Sequence, residues 1–566
     1  MWLLSKFAHK DDSAHPAPIE TYNSRLLLLA LAASTGSAMY GYDTGFIGGA
    51  ISLPSFTARY GLDSVTGTQL AALKANIVST FQAGCFFGAI IAYSVNEKFG
   101  RRKTMLAFAI VFVIGVTFQI ASSGKIGLIY AGRAITGLSV GTMSMIVPVY
   151  NAEWSPPAVR GLTVGLYECV YQTSSLLAFW VNYAVKIHQP DTSERQWQIP
   201  FALQYIFGGA VILCMWFQPE SYRWLIKAGR VDDARDALVR IRKLPAEHPY
   251  INYEIQSVLI QLNEEAQIAK KDVLRETGNF IQRNEIYIKL KEVTKSGMRY
   301  RLFVGVSVMV WQNLSGINAL NYYSPTIFKS IGVSGNNVDL LATGIFGVAK
   351  TVTNIIAVLF MVDYFGRRGP LLFGSSLTFV FMMYLGIYSQ LSGSFDHVVE
   401  KDGGSRAALA CVYMFAVFYA FSWNCMPFIV CSEIFPMAIR NFCMTICVMA
   451  QWLMQFVIVY SNPYMMTNIK YGSFYFFGAC LLLSVPFVYF IIPETRGISL
   501  ENMDVLFSIR GTALKKRKKA DEIIAMRKQE VIMDESGKVA VAEVEDVDGG
   551  SIEKVPTSST RSIQEV

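Results

Sequence analysis

The sequence predicts an all-α membrane protein of twelve transmembrane helices arranged as two similar six-helix halves. Three observations carry that prediction. Charged residues make up only 16% of the 566-residue chain and hydrophobic ones 52%, where an ordinary soluble domain carries roughly 25% charge. What charge there is gathers at the N-terminus, in roughly 219–301 and after 493, leaving the remainder nearly uncharged. A short cationic turn also occurs twice, as Glu97-Lys98-Phe99-Gly100-Arg101-Arg102 and Asp363-Tyr364-Phe365-Gly366-Arg367-Arg368. Each copy follows an apolar span inside a like rhythm of apolar stretches, which is the mark of a duplicated membrane protein.

Taken in order, apolar windows of the length a bilayer requires, about 20 residues, fall near 25–50, 70–95, 104–122, 127–150, 161–186 and 199–218. They resume near 302–330, 339–362, 370–391, 408–431, 441–461 and 471–492, and the window 302–330 is long enough to be broken or tilted. The chain therefore divides into an N-terminal segment 1–24, a six-helix bundle 25–218, a linker 219–301, a second bundle 302–493 and a tail 494–566. The linker carries helix-compatible patterns such as Val231 to Ile241. The tail from about 510 lacks an apolar face, which predicts a largely disordered segment.

Lys and Arg in short loops set orientation. The even-numbered loops carry Arg101, Arg102 and Lys103, then Arg160, Arg367 and Arg368, and Arg440. The odd-numbered loops hold isolated bases (Arg59, Lys125, Lys470) offset by acids such as Asp191 and Glu194. Even loops, linker and both termini are thus expected in the cytoplasm of a multi-pass protein, with the plasma membrane as the expected bilayer. Residues 1–24 are polar, so no cleavable signal peptide is expected and the first span must direct insertion.

The net charge of +8 comes with no basic and aromatic pattern of the kind that binds nucleic acid, so no nucleic-acid partner is expected. The run Lys515-Lys516-Arg517-Lys518-Lys519 reads as a solvated tail or as a contact for anionic headgroups. All nine cysteines lie in apolar stretches and suit packing, with no disulfide or metal spacing. No nucleophile–base pair, metal spacing or phosphate loop stands outside the spans, so neither an enzyme nor a cofactor is expected.

Two charges lie deep in spans: Asp43 in the first and Arg133 in the fourth. An unpaired charge there costs at least about 2.5–3.5 kcal/mol, so each needs a partner or a watery cavity. Glu168 in the fifth span lies one helical turn before Gln172, on the same face. The arginines of the doubled turn can pair with carboxylates at neighbouring span ends, including Glu153, Glu220, Glu433 and Glu494, and could latch one state of a rocking machine.

Six stretches in order carry a family resemblance: Gly41-Tyr42-Asp43-Thr44-Gly45; Gly132-Arg133 with Gly137 and Gly141; Pro148 to Glu153 with Arg160-Gly161; Pro219 to Leu225; Gln312 to Asn318 with Tyr322-Tyr323; and Pro493 to Gly497. From about Tyr22 to Asp504 the chain resembles the sugar porters of the major facilitator superfamily. Its wording at Tyr22 to Arg25, Phe56, Ala75 to Val78 and Trp311 to Asn313 is similar to fungal members, nearest the quinate permease group alongside hexose and fructose porters.

The resemblance implies a major facilitator fold working by alternating access. It assigns Asp43 and Arg133 to proton sensing, with Glu168 as a second titrating candidate. It assigns substrate contact to Gln172, Gln312, Asn313, Asn318, Asn424, Phe428, Gln451 and Trp452, with Gln455 beside them. Gating falls to Tyr322 and Tyr323 and to the charged set Arg101, Arg102, Glu153, Arg160, Glu220, Arg367, Arg368, Glu433, Arg440 and Glu494. Three positions depart from the glucose-porter pattern: Glu97 stands for Asp, Asn313 for a second Gln, and Phe428 for Trp. Lys350, near a sugar-binding Asn of the family, could receive a carboxylate, pair with an acid or point into water.

The expected function is proton-coupled import of a monosaccharide such as fructose or glucose, or a related polyol. A quinate or sugar-acid permease and a non-transporting sugar sensor are the alternatives. The partners expected are that substrate, protons and the lipid bilayer.

Overall fold

The computed structural model describes residues 17–156, 159–275, 285–295, 297–330, 338–361, 365–394, 402–436, 439–496, 503–509 and 511–535. Regular structure among them is entirely helical. Asp363 and Tyr364 of the second turn and the tail beyond 535 lie outside the described residues.

The first bundle contains α1 (Ser24–Ala50), α2 (Gly67–Phe99), α3 (Arg101–Ile120), α4 (Ile126–Trp154), α5 (Arg160–His188) and α6 (Arg195–Trp216). The second contains α7, broken into Met298–Leu314 and Ile317–Ser330, then α8 (Val338–Ile356, prolonged by a π turn at Ala357–Met361) and α9 (Arg368–Leu391). It ends with α10 (Gly403–Ile434, with a π turn at Ala420–Asn424), α11 (Arg440–Asn468) and α12 (Gly472–Ile491). All twelve expected windows coincide with helices. The long seventh window is indeed broken: its parts meet at 43°, with Gly316 at the joint in a left-handed conformation (φ +87°) that suits glycine.

Eight of these helices, or nine with the bent α7, are long and apolar enough to cross a bilayer by composition. The three others are α1, α4 and α5, which carry Asp43, Arg133 and Glu168. From Ala32 to Ala50 all but one residue of α1 is buried, so its small and polar residues face protein. Apolar side chains such as Phe87, Ile110, Leu213, Phe373 and Leu483 are exposed on the outer faces, where lipid would cover them.

Within the first half α1 packs on α5 and α2 on α4, while in the second α9 packs on α10 and α12. The halves meet where α2 lies on α11, α5 on α8, and the second segment of α7 on α1.

Both arginine turns are built alike. Gly100 and Gly366 hold positive φ, +93° and +76°, and at each a Cβ would come within 2.6 and 2.7 Å of a carboxylate, Glu220 and Glu494 respectively. The Glu220 carboxylate accepts from the backbone N–H of Arg101 (2.7 Å) and Arg102 (2.9 Å), the first groups of α3. The Glu494 carboxylate accepts from those of Arg367 and Arg368 (both 2.9 Å), where α9 begins. Each acid thereby satisfies free donors at a helix N-terminus, where a negative charge is favoured.

The linker helices Val231–Arg242 and Pro249–Arg275 dock on the first half. Buried Arg242 donates to both oxygens of Glu254 (2.7 and 3.1 Å) and to the Trp154 carbonyl (2.8 Å). Asn23, which caps α1, also donates to the Ile241 carbonyl at 2.8 Å.

The tail departs from expectation. Ala513–Glu535 is a helix, with Ala513 and Ala520 buried. Lys516 sits 3.7 Å above the Tyr300 ring, and Arg517 donates to the Glu494 (3.0 Å) and Arg496 (2.7 Å) carbonyls. The helix docks through small residues and cations on a ring and on carbonyls, so no apolar stripe announces it.

Candidate functional site

Between the halves lies a narrow polar cavity of about 30 Å³. The first half contributes Tyr40 from α1 and Glu168 and Tyr171 from α5. The second contributes Gln312, Asn313, Ile317, Asn318 and Asn321 from α7, Lys350 from α8, Tyr419, Asn424 and Phe428 from α10, and Gln451 and Gln455 from α11. The break at Gly316 is what lets both parts of α7 present amides to one space, an arrangement typical of binding sites on discontinuous helices.

Hydrogen bonds fix this wall. Gln312 donates to the Trp423 carbonyl at 3.0 Å, in the π turn of α10 and four residues before Pro427, which has no N–H to offer it. Asn318 donates to the Asn313 Oδ1 at 2.6 Å, and Asn313 to the Met309 carbonyl at 2.9 Å. Among the described residues the Gln312 and Gln451 Oε1 atoms have no hydrogen-bond partner, so they remain able to accept from hydroxyl groups. Asn424 is a hub. Its Oδ1 accepts from Gln172 (3.0 Å), and its Nδ2 donates to Asn354 (2.8 Å) and Glu168 (3.2 Å).

One acid and one base share the cavity. Glu168 is 7% and Lys350 2% exposed. Lys350 Nζ donates to the Asn321 Oδ1 at 3.1 Å and lies 5.9 Å from the Tyr171 ring centroid. Glu168 and Lys350 do not touch as an ion pair.

Seven of the nine expected substrate residues line the cavity. Gln172 and Trp452 do not. Gln172 is tied to Asn424, and its backbone carbonyl accepts from Thr351 at 3.1 Å. Trp452 is fully buried, donates to the Ser144 Oγ at 3.1 Å and meets the Tyr40 ring edge-on at 5.0 Å. Both brace the wall from behind.

The wall residues that sequence reasoning overlooked are Tyr40, Tyr171, Ile317, Asn321 and Tyr419. Spacing held a usable signal for three of them: Tyr171 follows Glu168 by three residues, Asn321 follows Asn318 by three, and Tyr40 precedes Asp43 by three. Each shares a helix face with a chosen residue.

Asp43 and Arg133 are paired outside the cavity. Arg133 donates to both carboxylate oxygens, at 2.9 and 3.2 Å, with neither side chain exposed. The guanidinium also lies 5.0 Å from the Phe81 ring centroid. A short polar path leads from the pair to the cavity. Thr44 follows Asp43 and accepts from the Tyr322 hydroxyl at 3.4 Å, which in turn accepts from Gln455 at 3.1 Å.

The halves also touch toward either end of the bundles. At the end away from the arginine turns, a Cβ on Gly48 would lie 2.1 Å from the Tyr322 carbonyl, so α1 and α7 touch there through bare backbone. Within the second half, the neighbouring Tyr323 donates to the Val459 carbonyl of α11 at 3.2 Å. At the turn end the rings of Tyr93 (α2) and Phe442 (α11) lie 5.7 Å apart.

The charged network differs in detail from expectation. Arg101 pairs with Glu153 at 2.8 Å and Arg367 with Glu433 at 2.7 Å, but each pair lies within one half. Among the described residues the second arginines do not pair with acids through their side chains: Arg102 donates to the Met215 carbonyl (3.0 Å) and Arg368 to that of Tyr489 (2.7 Å). Arg160 and Arg440 have no acid within ion-pair distance among the described residues, and Arg440 donates to the Phe435 carbonyl at 3.3 Å. Glu220 and Glu494 instead accept from backbone N–H groups.

Comparison with known proteins places this architecture. The family model "Sugar (and other) transporter" matches residues 29–507. A "Probable quinate permease" from Aspergillus niger is 42% identical over 499 residues, covering 87% of this chain and 89% of its own. A "Quinate permease" from Neurospora africana is 40% identical over 513 residues, covering 90% and 93%. Among solved structures, the proton:xylose symporter XylE bound to 6-bromo-6-deoxy-D-glucose matches at a TM-score of 0.69 and 24% identity, covering 86% of this chain and 99% of that one. The inward-open xylose transporter XylE from E. coli matches at 0.66, covering 85% and 99%. These last two show the fold. With twelve helices in two halves, a polar cavity between them and a family match across both bundles, the chain belongs to the sugar (and other) transporter family and is a membrane transporter, not an enzyme.

Proposed function

We propose that the protein imports a small polyhydroxylated ring acid of the quinate class together with protons, by alternating access at the plasma membrane with both termini in the cytoplasm. The observation that carries the substrate class is Lys350, an ammonium in a cavity otherwise lined mainly by amides and tyrosines, with one acceptor among the described residues, Asn321, on its three donors. A ring acid would supply that cation with a carboxylate and the amides with hydroxyls. The names of the fungal relatives, at 40–42% identity, support the same class.

Proton coupling rests on the Asp43–Arg133 pair. Protonating Asp43 releases Arg133, and Thr44 and Tyr322 connect that change to the gate over the cavity. The Arg101–Glu153 and Arg367–Glu433 pairs would hold each half rigid as the halves rock.

A neutral hexose is the second reading, favoured by the run of amides Gln312, Asn313, Asn318, Gln451 and Gln455 along one wall. Uptake into proteoliposomes, with and without an imposed pH gradient, separates the two. Labelled quinate is expected to accumulate only with the gradient, and excess fructose or glucose to compete weakly. Accumulation of hexose with no uptake of quinate would overturn the substrate class. Quinate uptake indifferent to the gradient would overturn the coupling.

A further inference from the structure

We infer that Glu168 is the proton partner of the substrate's own carboxylate: the acid takes Lys350 as its counter-ion while Glu168 takes up a proton, so anion and proton cross together at a site separate from Asp43–Arg133. This rests on the reading of the cavity as a ring-acid site.

Charge balance in a closed space leads there. Glu168 stands on α5 of the first half and Lys350 on α8 of the second, facing the same cavity and together neutral. A carboxylate delivered to Lys350 would leave two anions and one cation, a net charge that buried surroundings disfavour strongly. Two carboxylates sharing one cation resolve this by one of them taking a proton. A substrate carboxyl with a hydroxyl on the adjacent carbon is the stronger acid, because the hydroxyl withdraws electron density. The proton therefore goes to Glu168.

The hydrogen bonds around Glu168 tolerate both of its forms. Asn424 is oriented by two other bonds, accepting from Gln172 and donating to Asn354, so its remaining N–H points at Glu168 Oε2 in either state. A protonated Glu168 accepts that bond on its carbonyl oxygen and has an O–H free to donate to a substrate hydroxyl. The charged and titratable groups facing Glu168 are Lys350 on α8, Tyr40 on α1, Tyr419 and Cys425 on α10, and Tyr167, Cys169 and Tyr171 on its own helix. Lys350 is the one cation among them. No other described group there can neutralise a second anion.

In the step itself no covalent bond changes except at hydrogen. One proton from the entry side joins the Glu168 carboxylate as the substrate anion binds, and both leave on the far side, restoring the Glu168 and Lys350 charges.

The test is calorimetric titration of the purified full-length protein with quinate and with its neutral amide, in buffers of different ionisation enthalpy, which counts protons taken up per ligand bound. The wild type is expected to take up one more proton with quinate than with the amide. Correspondingly, quinate affinity should fall an extra tenfold per pH unit above the range in which Glu168 is protonated. In Glu168→Gln the difference between acid and amide should vanish, and in Glu168→Asp it should return. Equal proton counts for acid and amide in the wild type, a comparison that needs no variant, would overturn the inference, as would an undiminished difference in Glu168→Gln. Absence of quinate binding in a wild type that binds hexose would overturn the ring-acid reading instead.

Discussion

Arg133 grips Asp43 with two nitrogens on two oxygens, at 2.9 and 3.2 Å, in a place no solvent reaches. Breaking one partner of such a pair leaves an uncompensated buried charge, which costs about 3–5 kcal/mol. Asp43→Asn is therefore expected to lower the melting temperature and to weaken accumulation driven by a pH gradient to the share carried through Glu168, while exchange of labelled for unlabelled substrate persists. Proteoliposome accumulation and exchange assays on the same preparation check both halves of the statement. Unimpaired gradient-driven accumulation would remove Asp43 from the coupling mechanism.

Gly100 and Gly366 are each held at positive φ with a carboxylate where a Cβ would go. Alanine at either position combines backbone strain with a clash against the acid that caps the next helix. Gly100→Ala and Gly366→Ala are each expected to cost roughly 1–3 kcal/mol, read as a lower thermal midpoint in detergent. Similar losses at the two sites would reflect their like construction.

Lys350→Gln removes the only cation among the described cavity residues. A charged hydrogen bond contributes about 1.5–3 kcal/mol, so KM for quinate is expected to rise roughly 10- to 100-fold. A neutral ring polyol should be affected far less. Equal losses for acid and neutral ligands would mean that Lys350 is structural.

Trp452 and Gln451 are sequence neighbours with different surroundings. Gln451 lines the cavity, whereas Trp452 lies behind it and bonds Ser144 across the halves. Trp452→Phe should cost about 1 kcal/mol of stability through the lost bond and leave substrate preference unchanged. Gln451→Ala should raise KM with little change in melting temperature. Uptake kinetics and thermal melts on both variants make the comparison.

Lys516→Ala breaks the docking of the tail helix on Tyr300. A cation over a ring contributes about 0.5–2 kcal/mol, so faster proteolysis after residue 509 is expected, with uptake maintained.

The membrane architecture was legible because lipid selects long apolar runs, and even the break in α7 showed as a window too long for one straight span. The charged pair was legible because isolated charges in such runs are rare. What escaped was set by contacts distant in sequence. Trp452 and Gln172 looked like ligands because a polar group in a span suggests a site, yet their partners, Ser144 and Asn424, come from the opposite half. Glu220 and Glu494 looked like partners for arginine side chains, but their oxygens are used by the helix starts at Arg101 and Arg367. The tail helix escaped because Lys516 and Arg517 dock by charge on a ring and on carbonyls, and no pattern of apolar residues marks that.

The deep spans contain two acids and two bases, Asp43 with Arg133 and Glu168 facing Lys350. With both acids ionised their sum is zero. A charge crossing the membrane potential does work of about 2.3 kcal/mol per 100 mV, so an empty carrier with this content swings back through the electric field at no electrical cost. On the proposed proton-coupled cycle, voltage then acts on the loaded half alone, and a cell that hyperpolarises its membrane would hasten delivery without hindering the return.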